Sequence, residues 1–315
     1  MEPHSKYKKL KFDKIKTYSI QDRYSKVKIK DFCQPENSST TIGRFIDSLP
    51  AILAGSDFKK FCGQYRKAVQ MQKTTVWMLG AHVIKCGLSP VLIRMMKKGF
   101  IQHLALNGAG AIHDVELAMW GITSEDVSAG LKDGSFGMAA ETAEFINGAL
   151  SENKGNEKGY AECIAEKLNR SSAPNLEISL LALAYQLNIP VTLHPALGTE
   201  IIHQHPGLDG AAFGEKALLD FRLFSQSLSK LSEDAVVVNA GSAVIMPEVF
   251  LKALTIVRNL GFPAFRFHTA VFDMNRHYRP LVNVVQRPTQ EGGKGFYFIG
   301  HHEIMIPLLA AAIQD

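Results

Sequence analysis

The feature that most constrains this chain is a rhythm. A short, unbroken apolar run ends in a small residue, and a helical pattern follows, several times over. TTVWMLGAH leads into LSPVLIRMMKKG, IQHLALNGAGA into IHDVELAMWG, IPVTLHPALG into a helix over about 211–231, and AVVVNAGSAV into PEVFLKALTIVRNLG. AFRFHTAVFD supplies a further strand, and FYFIG feeds the last helix, EIMIPLLAAAIQ. Strands without polar alternation are buried on both faces, and strands that alternate with helices form βαβ units. The expected fold class is therefore α/β: a Rossmann-like, doubly wound, mostly parallel sheet with flanking helices. Apolar residues at helical spacing (Phe45, Ile46, Leu49, Ile52, Leu53) predict one or two helices before the first strand. The stretch 136–188 is helical throughout and reads as a cover on the sheet.

Charge divides the chain unevenly. Residues 1–30 hold ten Lys/Arg against three Asp/Glu, although the whole chain has a net charge of only +5. Residues 1–40 read as a basic N-terminal arm and 41–315 as a single α/β catalytic domain. The arm is a solvated leader, a strap on a neighbouring subunit, or a contact for nucleic acid or an acidic partner. The main body has no basic excess, so no nucleic acid is expected. The four cysteines form no CxxC pair, which argues against a zinc ribbon, a redox pair and a secreted disulfide framework. The N-terminus lacks a signal-like apolar stretch, and no run reaches the roughly 18 apolar residues of a membrane span. The expected compartment is the cytoplasm.

Open parallel sheets bind ligands at the carboxyl ends of their strands. Here those ends carry small or polar residues: Gly80-Ala81-His82, Asn107 through Ala111, Ala196 through Glu200, Asn239 through Ala243, and Gly300 through Glu303. Small residues let a diphosphate approach the backbone, and helix N-termini offer it N–H donors. No P-loop and no regular GxGxxG is present. Histidine is the second signal, in HPALGTEIIHQH (His194, His203, His205, with Glu200) and at His82, His301 and His302. These side chains line a cleft and move protons, ligate a metal, or serve the structure alone. Asp114 is left open, and Glu116 is assigned to the electrostatics of a helix N-terminus.

The order of these blocks resembles the deoxyhypusine synthase family. LGAHVIKCGLSPVLIRMMKKGFIQHLALNGAGAIHDVE, NIPVTLHPALGTEI, AVVVNAGSAVIMPEVFLKALTIVRNLG, HTAVFD, Arg279-Pro280 and GHHEIMIPLLAAAI follow in the family's order over about residues 76–313. The resemblance implies a Rossmann-like NAD-binding fold and a homotetramer with sites near subunit interfaces. It places NAD near Ala81, His82, Gly108, Ala109, Gly110, Gly241, Ser242, Asp273 and His301. It places a polyamine-like substrate near His194, Thr199, Glu200 and His203. One departure stands out: LVNVVQRPT has no lysine where the family holds an imine intermediate, and Lys294 in EGGKG is the nearest replacement.

The leading expectation is an NAD-dependent enzyme of the deoxyhypusine and homospermidine synthase type, acting on a small amine but not a true deoxyhypusine synthase. Its catalytic candidates are His194, Glu200, His203 and Lys294, with no metal. Two alternatives stay open: a metal-dependent hydrolase using His194, Glu200, His203 and His205, and a nucleotide-binding protein without catalysis.

Overall fold

The computed structural model describes residues 10, 12–23, 28–33 and 41–314. About half of the expected arm at 1–40 thus lies outside the described residues. Two helices, α1 (Ile42–Ser48) and α2 (Leu53–Gln70), precede the sheet. Strand β1 (Thr75–Leu79) is followed by α3 (Ala81–Lys85) and α4 (Ser89–Lys97). Strand β2 (His103–Asn107) leads into α5 (Gly108–Trp120), the one-turn α6 (Val127–Gly130), α7 (Ala140–Glu152), α8 (Tyr160–Arg170) and α9 (Leu180–Gln186). Then come β3 (Val191–His194), α10 (Gly210–Leu228), β4 (Val236–Ala240) and α11 (Ile245–Asn259). The chain ends with β5 (His268–Asp273), α12 (Tyr278–Pro280), β6 (Gly295–Ile299) and α13 (His302–Gln314).

The six strands form one sheet in the order β3-β2-β1-β4-β5-β6, and all five pairings are parallel. The order reverses between β1 and β4, the switch point of a doubly wound fold. Every residue of β1, β3, β4 and β5 is buried, which is why those strands read as continuous apolar runs. Alternate side chains serve opposite layers. Trp77, Leu79, Leu104, Leu106, Val238 and Phe272 join the layer holding α2, α5 and α8. Val76, Met78, Ala105, Val237 and Val271 pack with Phe224, Leu228, Phe250 and Leu254 of α10 and α11.

Two local readings change. The run NGAGA is not a loop: α5 begins at Gly108, and the Asn107 side chain accepts from the Gly110 N–H at 3.1 Å, closing the first turn. The strand expected across AFRFHTAVFD starts only at His268, because Arg266 takes a positive φ of 60° that breaks the extended chain.

Candidate functional site

At the carboxyl ends of β2 and β3 lies a cavity of about 680 Å³. Helix α5 supplies one wall through Ala109, Ile112, His113, Glu116 and Trp120, and Lys85 reaches in from α3. The α5–α7 connection closes the far side with Ile122, Thr123, Glu125, Val127, Phe136 and Ala139, followed by Glu141 and Thr142 of α7. Thr199, Glu200 and Ile201, after β3, complete it. The lining is apolar except for four carboxylates, one lysine, one histidine and a few hydroxyls. A mostly apolar pocket with a few convergent polar groups is the usual form of a small-molecule site.

Two hydrogen-bonded groups sit in this wall. Glu116 accepts from Thr142 Oγ1 at 3.0 Å and from Thr123 Oγ1 at 2.5 Å. Thr123 Oγ1 in turn meets His113 Nδ1 at 2.6 Å. Burial, with Lys85's charge adding, holds His113 down to about 4, so the ring is neutral at neutral pH. The second group is Glu200 with His203. Glu200 Oε1 accepts from the Ala196 N–H at 3.2 Å, while Oε2 is buried with no partner and lies 3.3 Å from His203 Nδ1. His203 Nδ1 accepts from the Gly198 N–H at 3.1 Å, and its Nε2 is also buried without a partner. Burial raises the Glu200 carboxyl and lowers the His203 ring.

The sequence candidates scatter more than their spacing suggests. Of His194, Glu200, His203 and Lys294, only Glu200 lines the cavity, with His203 directly behind it. His194 follows Thr192 on one face of β3 and turns under α10, where its Nε2 meets Thr192 Oγ1 at 3.0 Å and its ring packs on Phe224. Burial takes it down to about 3. Thr192 also meets His103, whose other nitrogen bonds Ser227, so this is a closed polar chain inside the protein. Lys294 immediately precedes β6, at the amino end of a parallel sheet whose cavity opens at the carboxyl end. Its Nζ pairs with Asp57 at 2.7 Å and lies over the Phe296 ring. The structure does not bring it to the site. His205 Nε2 meets the Gly137 carbonyl at 2.8 Å. The quartet of the hydrolase alternative is thus dispersed, and among the described residues no three His, Cys, Asp or Glu side chains come together to hold a metal. Asp114 is buried and accepts from Ser179 Oγ and from the Leu180 and Leu181 N–H groups, capping α9.

Sequence reasoning missed Lys85, His113 and the true role of Glu116. Glu116 sits more than two turns into α5, too far from the N-terminus for the electrostatic role assigned to it. Its partners are distant in sequence, and no local pattern announces them.

The residues expected around a dinucleotide lie along the carboxyl rim in two groups. Gly108, Ala109 and Gly110 form the first turn of α5 beside the cavity. Ala81, His82, Gly241, Ser242 and His301 follow β1, β4 and β6, and Asp273 ends β5; there His82 and His302 have rings 5.6 Å apart. Two of the glycines are not open seats. A Cβ on Gly80 would lie 1.9 Å from the Gly241 carbonyl oxygen, and one on Gly108 would lie 2.5 Å from Glu200 Oε1. Glycine there permits approach of the chain to itself. Two buried atoms nearby do fit a polar ligand: Asn239 Oδ1, in β4, and His302 Nδ1, after β6, have no hydrogen-bond partner.

No family model and no curated protein matches the sequence. Solved structures do match in fold. A chain from Entamoeba histolytica provisionally assigned as a deoxyhypusine synthase superposes with a TM-score of 0.54 at 11% identity, covering 89% of this chain and 96% of that one. AgrE, in a ternary complex with ornithine and NAD+, gives a TM-score of 0.52 at 16% identity over 82% of this chain. ArgZ, an arginine dihydrolase from the ornithine-ammonia cycle in cyanobacteria, gives 0.50 at 15% identity over 84%. This chain spans about a third of the AgrE and ArgZ chains, 33% of each. The α/β fold with an all-parallel six-stranded sheet is thus shared with a deoxyhypusine synthase-like structure, and the likeness read from the sequence holds at the level of fold.

Proposed function

We propose that this protein is an NAD-dependent enzyme that binds a small amine in the cavity over β2 and β3. The observation carrying the reading is the lining: Glu116, Glu125, Glu141 and Glu200 against a single lysine, Lys85, in an otherwise apolar pocket of about 680 Å³. A net negative, partly desolvated pocket favours an ammonium group, and its apolar walls suit a short methylene chain. Glu125 is committed to the Gly137 N–H, and Glu116 to two threonine hydroxyls. Glu141, which is exposed, and Glu200 are the lining carboxylates left to meet substrate.

NAD would lie along the same rim, held by Asn239, Ser242 and His302 beside Gly241. When bound it supplies a hydride acceptor, chemistry no side chain provides. The protein's own part is to orient the amine, exclude water with Trp120, Ile122, Phe136 and Ile201, and hold its charge on carboxylates. The reading draws support from a fold shared with AgrE, whose complex holds ornithine and NAD+. The true deoxyhypusine synthase reaction is not proposed, since the expected lysine is missing and Lys294 lies at the other end of the sheet. Assembly as a homotetramer remains part of this proposal, carried by the sequence resemblance alone.

The experiment is direct. Purified protein is mixed with NAD and 1,4-diaminobutane, and the absorbance of reduced nicotinamide is followed. Amine-dependent reduction supports the reading. Absence of saturable NAD binding by calorimetry would sink it.

A further inference from the structure

We propose that His113 is the proton acceptor of this cavity, acting through Nε2, with Thr123 and Glu116 as positioning residues. The inference rests on the amine reading above for its substrate, but its geometric core stands without it.

Donor counting fixes the ring. Glu116 already accepts from Thr142 at Oε1, and at Oε2 it receives the Thr123 hydroxyl at 2.5 Å. A carboxylate offers no proton, and a threonine hydroxyl has only one to give. That proton points at Glu116, so toward His113 the same oxygen can only accept. His113 Nδ1, 2.6 Å away, must therefore carry hydrogen. A neutral imidazole has one N–H, which leaves Nε2 as a bare lone pair. No described group bonds Nε2, and the His113 side chain lines the cavity. The neutral state has a physical basis in burial first and in the neighbouring Lys85 of α3 second, while Glu116 Oε2 lies 3.9 Å from Nδ1. Glu125, Glu141 and Glu200 are the other ionisable groups lining the same cavity. The arrangement has the logic of a base oriented by a third group: carboxylate, hydroxyl and imidazole in series.

In the step, the bound ammonium loses a proton to Nε2 in an uphill pre-equilibrium, because burial and Lys85 hold the ring down to about 4, and the ring then releases that proton to solvent. The N–H bond breaks, its electron pair stays on the substrate nitrogen as the lone pair of a neutral amine, and an N–H bond forms on the ring. The imidazolium keeps its Nδ1–H on Thr123, and Glu116 offsets the new charge. Nothing is oxidised or reduced in this transfer.

The test has two arms. The first is ¹⁵N NMR of histidine-labelled protein without any substrate, with His113→Asn identifying the resonance. Between about pH 6 and 8 the ring should be neutral and protonated on Nδ1. Thr123→Val should shift it toward the Nε2–H form, and Thr123→Ser should restore the wild-type pattern. An Nε2–H ring in the wild type, or a ring indifferent to Thr123→Val, overturns the proposal. The second arm uses NAD and 1,4-diaminobutane. His113→Asn, which keeps a donor near Nδ1 but nothing at Nε2, should lower kcat by ~10²–10⁴-fold with KM nearly unchanged. Unchanged kcat in a wild-type-active assay refutes the role of His113 and spares the amine reading. No diamine binding by the wild type refutes the amine reading, while the tautomer result stands on its own.

Discussion

Gly80→Ala and Gly63→Ala are the same chemical change with opposite expected signs. A Cβ on Gly80 would sit 1.9 Å from the Gly241 carbonyl oxygen and 2.5 Å from its carbon. Both neighbours are backbone, so no rotamer relieves the clash, and the two strand ends must part by more than about 1 Å. They are tied there: the Gly80 N–H donates to the Ala240 carbonyl at 2.8 Å, and the Gly241 N–H to the Phe272 carbonyl at 3.0 Å. Overpacking costs ~1–3 kcal/mol, and each weakened hydrogen bond about 1 kcal/mol. The sum is roughly 3–5 kcal/mol, which for a chain of 315 residues lowers Tm by roughly 4–8 °C. Gly63 lies inside α2 with nothing within 4 Å of its Cβ position. Alanine there should stabilise by ~0.5–1 kcal/mol through helix propensity. Thermal unfolding followed by circular dichroism measures both. A Gly80→Ala protein that melts with the wild type would refute the claim that β1 and β4 seal against each other at the switch point.

Further outcomes follow from buried groups. Asp220 of α10 takes the Leu193 N–H at 2.7 Å and the Ala161 N–H at 2.9 Å, and burial pushes its carboxyl up to about 8. The native protein therefore holds a proton there that the unfolded chain releases above about 4, so stability falls as pH rises toward 8. Denaturant unfolding should show Asp220→Asn losing less stability than wild type between pH 5 and pH 8; parallel curves would contradict this. Lys294→Ala breaks one half-exposed ion pair with Asp57 and should change stability by about 1 kcal/mol or less. NAD and diamine binding should be unaffected, and their loss on calorimetry would return Lys294 to the site. His194→Ala empties a buried position and removes one of the two partners of the Thr192 hydroxyl, which keeps His103, costing roughly 2–4 kcal/mol in denaturant unfolding. Its diamine affinity should stay at wild type, and a large loss would place His194 in the site after all.

The sheet was legible because burial on two faces writes itself into sequence as runs such as TVWML and AVVVNA. The doubly wound, parallel class came from the βαβ rhythm, whereas the strand order β3-β2-β1-β4-β5-β6 is set by long-range pairing that no local pattern writes into the sequence. Site chemistry was harder to read. HPALGTEIIHQH looks like a cluster, but strand alternation sends His194 to the face covered by α10, while Glu200 falls on the turn that packs against Gly108. Glu116 reads as a first-turn carboxylate only if the helix starts after NGAGA; its start at Gly108 makes Glu116 a mid-helix residue. His113 gave no signal at all, since its value depends on Thr123, and Thr123 is tied to the same Glu116 that holds Thr142 of α7. Lys294 is near the missing lysine in sequence only, and the parallel sheet places that stretch at its amino end.

The claim on which everything else turns is that a carboxylate-lined cavity over β2 and β3 receives a small ammonium ion. Isothermal titration of 1,4-diaminobutane, in the presence of NAD, into wild-type protein and into Glu141→Gln and Glu200→Gln tests it. Saturable binding should weaken about tenfold for each carboxylate neutralised, equivalent to about 1.4 kcal/mol, and should weaken further with added salt. Equal affinity in all three proteins, or no saturable heat in the wild type, would contradict it.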